Sequence, residues 1–285
     1  MRDVKRSGTP RALSGWARRY LALLGISPEL PSISALSQIT EQHLKRIPFE
    51  NVTTVLRFRD FGSSPPAPDP EWLLEQWETQ RGGGLCYEIS RTLRRLLEEL
   101  GYRCFSISGT ITFPGSHEAL LVEVEGGRYL VDVGNGAPFF YPVPIGEVVE
   151  VRHAGLKYRF RPGPEERALI QDRWVDGQWR PFCIYDLEPK SDAELHSGYL
   201  GHHTPGRGKF LGELVLVRCD HTEVYRLRNH ELMRFSEAGT SLKTVATRDD
   251  YLRVAREIFR LPRLPILEAV RVLRDLGVKF MEEGQ

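Results

Sequence analysis

The chain has 285 residues, 41% hydrophobic and 27% charged, which excludes a disordered or fibrous architecture and leaves room for about two domains. Thirty-nine basic residues against 38 acidic ones give a formal charge of +1. That balance argues against a broad surface for nucleic acid or anionic lipid, while a local basic pocket remains possible.

In chain order, residues 1–16 are basic and lack an apolar core, so they read as a frayed leader, with organelle targeting the alternative to it, and not as a secretory signal. Leu36, Ile39, His43, Leu44 and Ile47 follow helical spacing up to Pro48, which cannot continue a helix. GSSPPAPDP at 62–70 predicts an extended surface loop, and EWLLEQWETQ after it a short amphipathic helix. Past Arg81-Gly82-Gly83-Gly84, the stripe Ile89, Leu93, Leu96, Leu97 and Leu100 predicts a strong helix ended at Gly101. From 102 to about 190 the chain reads as strands, with EGGR at 125–128 as a hairpin turn. A polar, glycine-rich stretch then precedes the strand-like VLVRC and EVYRL. Two helices close the chain, the first capped by Thr247. Helices, then strands, then a mixed region make an α+β pattern. No apolar run reaches the 18 or so residues of a membrane helix.

The chemistry centres on cysteine. Cys86, Cys104, Cys183 and Cys219 form no CxxC pair, which fits free thiols in a reducing cytoplasm. Cys86 alone lies between a glycine run and a helix start, where unpaired N–H groups favour thiolate and can hold an oxyanion. It is either a nucleophile or a small buried hydrophobe. A nucleophile needs a base and an orienting carboxylate. His117 opens the strand EALLVEV, and Asp132 ends RYLVDV. With Gly126-Gly127 as the two-residue turn, Asp132 falls opposite Leu121. It then shares a face with His117 but lies roughly 13 Å along it at strand rise. Contact between the two requires a bulge or a bend.

These residues resemble the arylamine N-acetyltransferases. The resemblance rests on His43 with Ile47-Pro48-Phe49-Glu50-Asn51-Val52, on the glycine run with Leu85-Cys86-Tyr87-Glu88, and on His117 fifteen residues before Asp132 in Tyr129-Leu130-Val131-Asp132-Val133-Gly134. Trp179 to Phe210 is similar more loosely. The resemblance implies a Cys86–His117–Asp132 triad, arranged as in cysteine proteases. It also implies acetyl transfer from acetyl-CoA to an arylamine, arylhydrazine or N-hydroxyarylamine through an acetyl-cysteine, with Ser116, Asn135 and Gly136 lining the CoA entrance. Four departures stand out: an extra residue between Arg81 and Cys86, Ser90 in place of an Asn, a short interval of 31 residues from Cys86 to His117, and Asn135 in place of a Phe. The last predicts weaker stacking on flat acceptors.

The expected architecture is a helical bundle over 1–85, a β-barrel-like middle domain over 86–195 carrying His117 and Asp132, and a mixed α/β lid over 196–285. The expected partners are coenzyme A and a small aromatic amine, with no nucleic acid, membrane or metal. His196, His202 and His203 lack an accompanying cysteine or carboxylate cluster, and His43 reads as a hydrogen-bonded core histidine. The alternatives are an amide synthase acting on a tethered polyketide with the same triad, a papain-like peptidase, and an idle binding protein of the same fold.

Overall fold

The computed structural model describes residues 12–165 and 167–280. Of the expected leader, residues 1–11 lie outside the described residues. The rest of it is part of the fold: Ser14 caps helix α1 (Gly15–Leu24), accepting from the Ala17 N–H at 3.1 Å, and Trp16 is buried. Helix α2 (Ile33–Arg46) ends before Pro48 as its sequence predicts, and His43 bonds the Tyr20 hydroxyl at 2.7 Å in the core. Strand β1 (Phe49–Glu50) and helices α3 (Val52–Phe61) and α4 (Pro70–Glu78) follow. The proline-rich loop between α3 and α4 is pinned where Arg57 and the Tyr199 hydroxyl both donate to the Pro66 carbonyl.

Helix α5 (Cys86–Glu99) buries its apolar stripe against α1, α4 and two strands, β2 (Arg103–Thr110) and β3 (His117–Val124). The chain then adds β4 (Gly127–Val131), β5 (Val143–Pro144), β6 (Val149–His153), β7 (Leu156–Pro162), β8 (Ala168–Val175) and β9 (Gln178–Pro189). These strands form one antiparallel sheet in the order β5-β4-β3-β2-β9-β8-β7-β6. Leu121 and Leu130 from one side of that order share a core with Tyr158 and Phe160 from the other, and Phe139 packs edge-on against both rings at 5.0 Å. The sheet is thus curled into a nearly closed barrel.

Next come helix α6 (Asp192–His202) and strands β10 (Val215–Cys219), β11 (Glu223–Arg228), β12 (Glu231–Ser236) and β13 (Gly239–Thr244). Helix α7 (Arg248–Arg253) passes through a π-helical turn into a loop, and α8 (Ile266–Asp275) closes the fold. The second sheet runs β1-β10-β11-β12-β13, so an N-terminal strand is built into the C-terminal layer. The α+β class holds. Helix α6 corrects the expectation of an irregular glycine-rich stretch. Ser191 and Glu194 form its capping box, and a β-carbon on Gly198 would lie 2.1 Å from the Gly115 carbonyl oxygen, so glycine lets the helix press against the loop before β3.

The β3–β4 hairpin corrects a register. Its turn is Glu125-Gly126, with φ of 51° and 79°, and Val124 pairs with Gly127. Positive φ at both central residues is the turn whose twist matches paired strands. Asp132 therefore follows the Leu120–Val131 pair and falls level with Ala119, two residues from His117 along the strand and not four.

Candidate active site

The Phe49-Glu50-Asn51 stretch holds the site's framework. The Glu50 carboxylate accepts from the Gly83 N–H at 3.0 Å and the Thr53 hydroxyl at 2.6 Å, fixing the glycine run against β1. Asn51 spans two chain segments: its amide donates to the carbonyls of Phe210 and Glu213 at 2.7 and 2.6 Å, and its oxygen accepts from the Val215 N–H at 2.7 Å. Those bonds set the loop that forms one wall of the site. The glycine run delivers Cys86 as the first residue of α5, where Glu88 turns back to accept from the Leu85 N–H at 3.2 Å.

Cys86, His117 and Asp132 come together and are all buried. His117 Nε2 lies 2.7 Å from Asp132 Oδ2, which leaves Nδ1 for the cysteine. The contact arises from the hairpin register and from Asp132 leaving the ladder just beyond Val131. Asp132 Oδ2 also accepts from the Tyr185 hydroxyl at 2.6 Å and from Asn135 Nδ2 at 3.2 Å, while Oδ1 accepts from the Gly134 N–H at 3.1 Å. Burial pushes the Asp132 carboxyl up, but His117 and these donors hold it below the usual carboxylate range. Burial likewise disfavours charge on His117, yet Asp132 and Cys86 hold its pKa well above that of a free imidazole. Burial raises the Cys86 thiol, and His117 followed by His202 overcome it, lowering its pKa to about 6. The arrangement favours a thiolate–imidazolium pair with a carboxylate behind it. Burial pushes Cys183 and Cys219 up to about 12 and Cys104 higher still.

Ser116, Asn135 and Gly136 all border a cavity of about 250 Å3 that opens on Cys86 and His117. The Ser116 hydroxyl is engaged with its own loop, accepting from the backbone N–H groups of Ile111, Thr112 and Phe113 at 3.0, 3.1 and 3.3 Å. Asn135 is turned toward Asp132: beyond that bond its amide reaches Gln171 Oε1 at 3.0 Å, and its oxygen accepts from Arg173 at 3.1 Å. The Asn at this position extends the carboxylate's support, a role that the stacking argument did not anticipate.

His202, Gln171 and Tyr185 join the site without a signal in the sequence. His202 Nε2 is 2.7 Å from the Ser116 carbonyl oxygen, itself 4.0 Å from Cys86 Sγ. Its approach depends on α6, and only recognition of that helix would have aimed it at the cysteine. The other two histidines point elsewhere: His203 bonds the Tyr199 carbonyl at 3.0 Å and His196 packs on Tyr87. Among the described residues, no group of three or more His, Cys, Asp or Glu side chains could hold a metal ion. No helix among them is long and apolar enough to cross a membrane.

Comparisons with known proteins agree on one lineage. A family model described as N-acetyltransferase matches residues 32–264. The arylamine N-acetyltransferase of Mycolicibacterium smegmatis is 31% identical over 258 residues, 80% of this chain and 89% of that protein. A solved M. smegmatis arylamine N-acetyltransferase superposes with a TM-score of 0.75 at 26% identity, covering 91% of this chain and 97% of that one. The Mycobacterium marinum enzyme, solved in complex with CoA, shares the fold with a TM-score of 0.77 at 21% identity, over 93% of this chain and all of that one.

Proposed function

The chain belongs to the arylamine N-acetyltransferase family and is an acyltransferase, and from that premise we propose that Cys86, His117 and Asp132 carry an acetyl group from acetyl-CoA to an aromatic amine, hydrazine or N-hydroxyarylamine. The observation that supports this most is the meeting of Cys86, the first residue of α5, with an imidazole that lies 2.7 Å from a buried carboxylate.

In the first half-reaction the Cys86 thiolate attacks the thioester carbonyl. The unpaired N–H groups of the first turn of α5 are the natural donors to the oxyanion that forms. The carbon–sulfur bond to CoA breaks, that to Cys86 forms, and His117 gives its proton to the departing CoA thiolate. In the second, the acceptor nitrogen attacks the acetyl-cysteine and the carbon–sulfur bond to Cys86 breaks. Neutral His117 takes the proton from nitrogen, which restores the starting ion pair. Asp132 keeps the imidazole in one tautomer and balances its charge throughout.

Ser116, Asn135 and Gly136 stand at the approach for CoA, a reading supported by their place on the cavity wall. A working division into 1–85, 86–195 and 196–285 accompanies the proposal, with the nucleophile opening the second segment. A cytoplasmic location fits four free cysteines. The amide-synthase alternative asks the same triad to admit a tethered polyketide in place of acetyl-CoA.

Steady-state rates against both substrates test the two-step route. A covalent intermediate gives parallel double-reciprocal lines, and intersecting lines would mean direct transfer in a ternary complex, which removes the acetyl-cysteine.

A further inference from the structure

The cavity on Cys86 carries more positive charge than acetyl transfer calls for. Arg173 of β8, Arg226 and Arg228 of β11 and Lys209 line it against a single carboxylate, Glu213. Glu213 is already engaged, with Arg228 Nε at 2.6 Å and Lys209 Nζ at 4.0 Å.

Arg173 and Arg226 have no carboxylate partner among the described residues. Arg173 donates only to the Asn135 side-chain oxygen, its guanidinium sits 3.1 Å from the Phe182 ring centroid, and its Nε is buried with no hydrogen-bond partner. Arg226 rests on the Phe235 ring at 5.6 Å. Burial lowers the Arg173 pKa to about 10, and the charge of Arg226 adds to that effect, so the two cations work against each other. Unpaired cations that face one cavity repel each other unless an anion compensates them. Here the cavity's occupant is what can supply it.

We infer that this cavity takes a substrate bearing a carboxylate, on the acceptor or on the acyl chain, held by Arg173 and Arg226 beside the reacting sulfur. The inference rests on the acyl-transfer reading and specifies its substrate class. A guanidinium's planar donors match a carboxylate's two oxygens. The phosphates of CoA are poorly placed to be the missing anion. Arg173 is two hydrogen bonds from Asp132, through Asn135, at the reacting end of the site. In CoA a whole pantetheine arm separates the thioester from the phosphates.

Paired substrates test this. With acetyl-CoA as donor, kcat/KM is compared for 4-aminobenzoate and its neutral amide, 4-aminobenzamide. With one fixed neutral acceptor, succinyl-CoA is compared with butyryl-CoA. The expected result is a preference of roughly tenfold or more for the carboxylate in one pair, which identifies its source. Arg173→Gln and Arg226→Gln should each bring that ratio toward one. Because the readout is a ratio, a general loss of activity cancels, and Arg226→Gln serves alone if the Arg173 variant does not fold. Absence of preference in both pairs overturns the inference, as does a preference that survives both substitutions. A higher KM for acetyl-CoA in the variants with unchanged ratios would assign the arginines to CoA and also overturn it. Normal acetylation of Cys86 with no carboxylate preference defeats this inference alone, whereas no acetylation by acetyl-CoA defeats the reaction itself.

Discussion

Gly134 lies so close to Cys86 that a β-carbon on it would sit 2.5 Å from the cysteine's α-carbon and 2.7 Å from its β-carbon. The loop that carries Asp132 is therefore seated directly on the helix start that carries the thiol, and the Gly134 N–H also bonds Asp132 Oδ1. Gly134→Ala should push these two segments apart. We expect a stability loss of about 1–3 kcal/mol from overpacking. Activity should fall on the order of a hundredfold through misplacement of the reacting groups. Thermal unfolding and acetyl-transfer rates measure the two effects separately.

Cys86 should be the most reactive thiol at pH 6 to 7. With its pKa near 6, its alkylation rate should hold down to about that pH and fall below it, as the thiolate takes up a proton. Cys104, Cys183 and Cys219, whose pKa values burial raises, should stay inert over the same range. His117→Ala should move the Cys86 midpoint upward, and His202→Ala should move it upward by less. Per-residue alkylation followed by mass spectrometry reads each midpoint, and an unmoved midpoint in His202→Ala would remove that histidine from the thiolate's environment.

Asp132→Asn should preserve the fold and slow turnover by roughly a thousandfold or more, because the amide can neither balance the imidazolium nor fix its tautomer. Cys86→Ala combined with Asp132→Asn should be little worse than Cys86→Ala alone, since the residues act as a unit. Asn135→Phe should lower activity, because it strips one donor from Asp132 and the acceptor from Arg173. A gain with flat arylamines in that variant would instead support stacking at position 135.

Glu118, beside His117 on β3, is buried and accepts from the Ser106 hydroxyl at 2.7 Å; its Oε2 has no partner. Burial raises its pKa to about 8. An acid whose folded pKa is raised favours the folded state while protonated. Its contribution is thus fully present below about pH 4.5 and is lost as pH climbs through about 8. Glu118→Gln should flatten the stability profile across that window, by a few kcal/mol at most at the alkaline end. Denaturant unfolding at pH 5, 7 and 9 measures the slope; equal slopes in both proteins would show that Glu118 does not titrate on folding.

The residues legible from sequence share a trait: their signals are local. The stripe of α5, the proline stop of α2 and the capping box at Thr247 each lie within one or two turns of chain. Short motifs single out Cys86, His117 and Asp132, while the contact of His117 with Asp132 hangs on whether the hairpin turns at Glu125-Gly126 or one residue later. What escaped depends on tertiary packing. Helix α6 has Gly198 and Gly201 where a helix-former would be expected, and it forms because those glycines fit against Gly115 and Phe113. Strand β13 is exposed along its length and so shows no alternation of buried and exposed positions. Gln171, Tyr185 and Arg173 converge on Asp132 and Asn135 from two barrel strands, a meeting that only closure of the sheet brings about.

Intact-mass measurement after mixing the protein with acetyl-CoA, with no acceptor present, tests the central claim most directly. The expected result is a gain of one acetyl group, mapped by peptide analysis to Cys86, slow to discharge in water, rapidly discharged by an arylamine, and absent from Cys86→Ala. An unchanged mass, or an acetyl group carried by any other residue, would contradict the account.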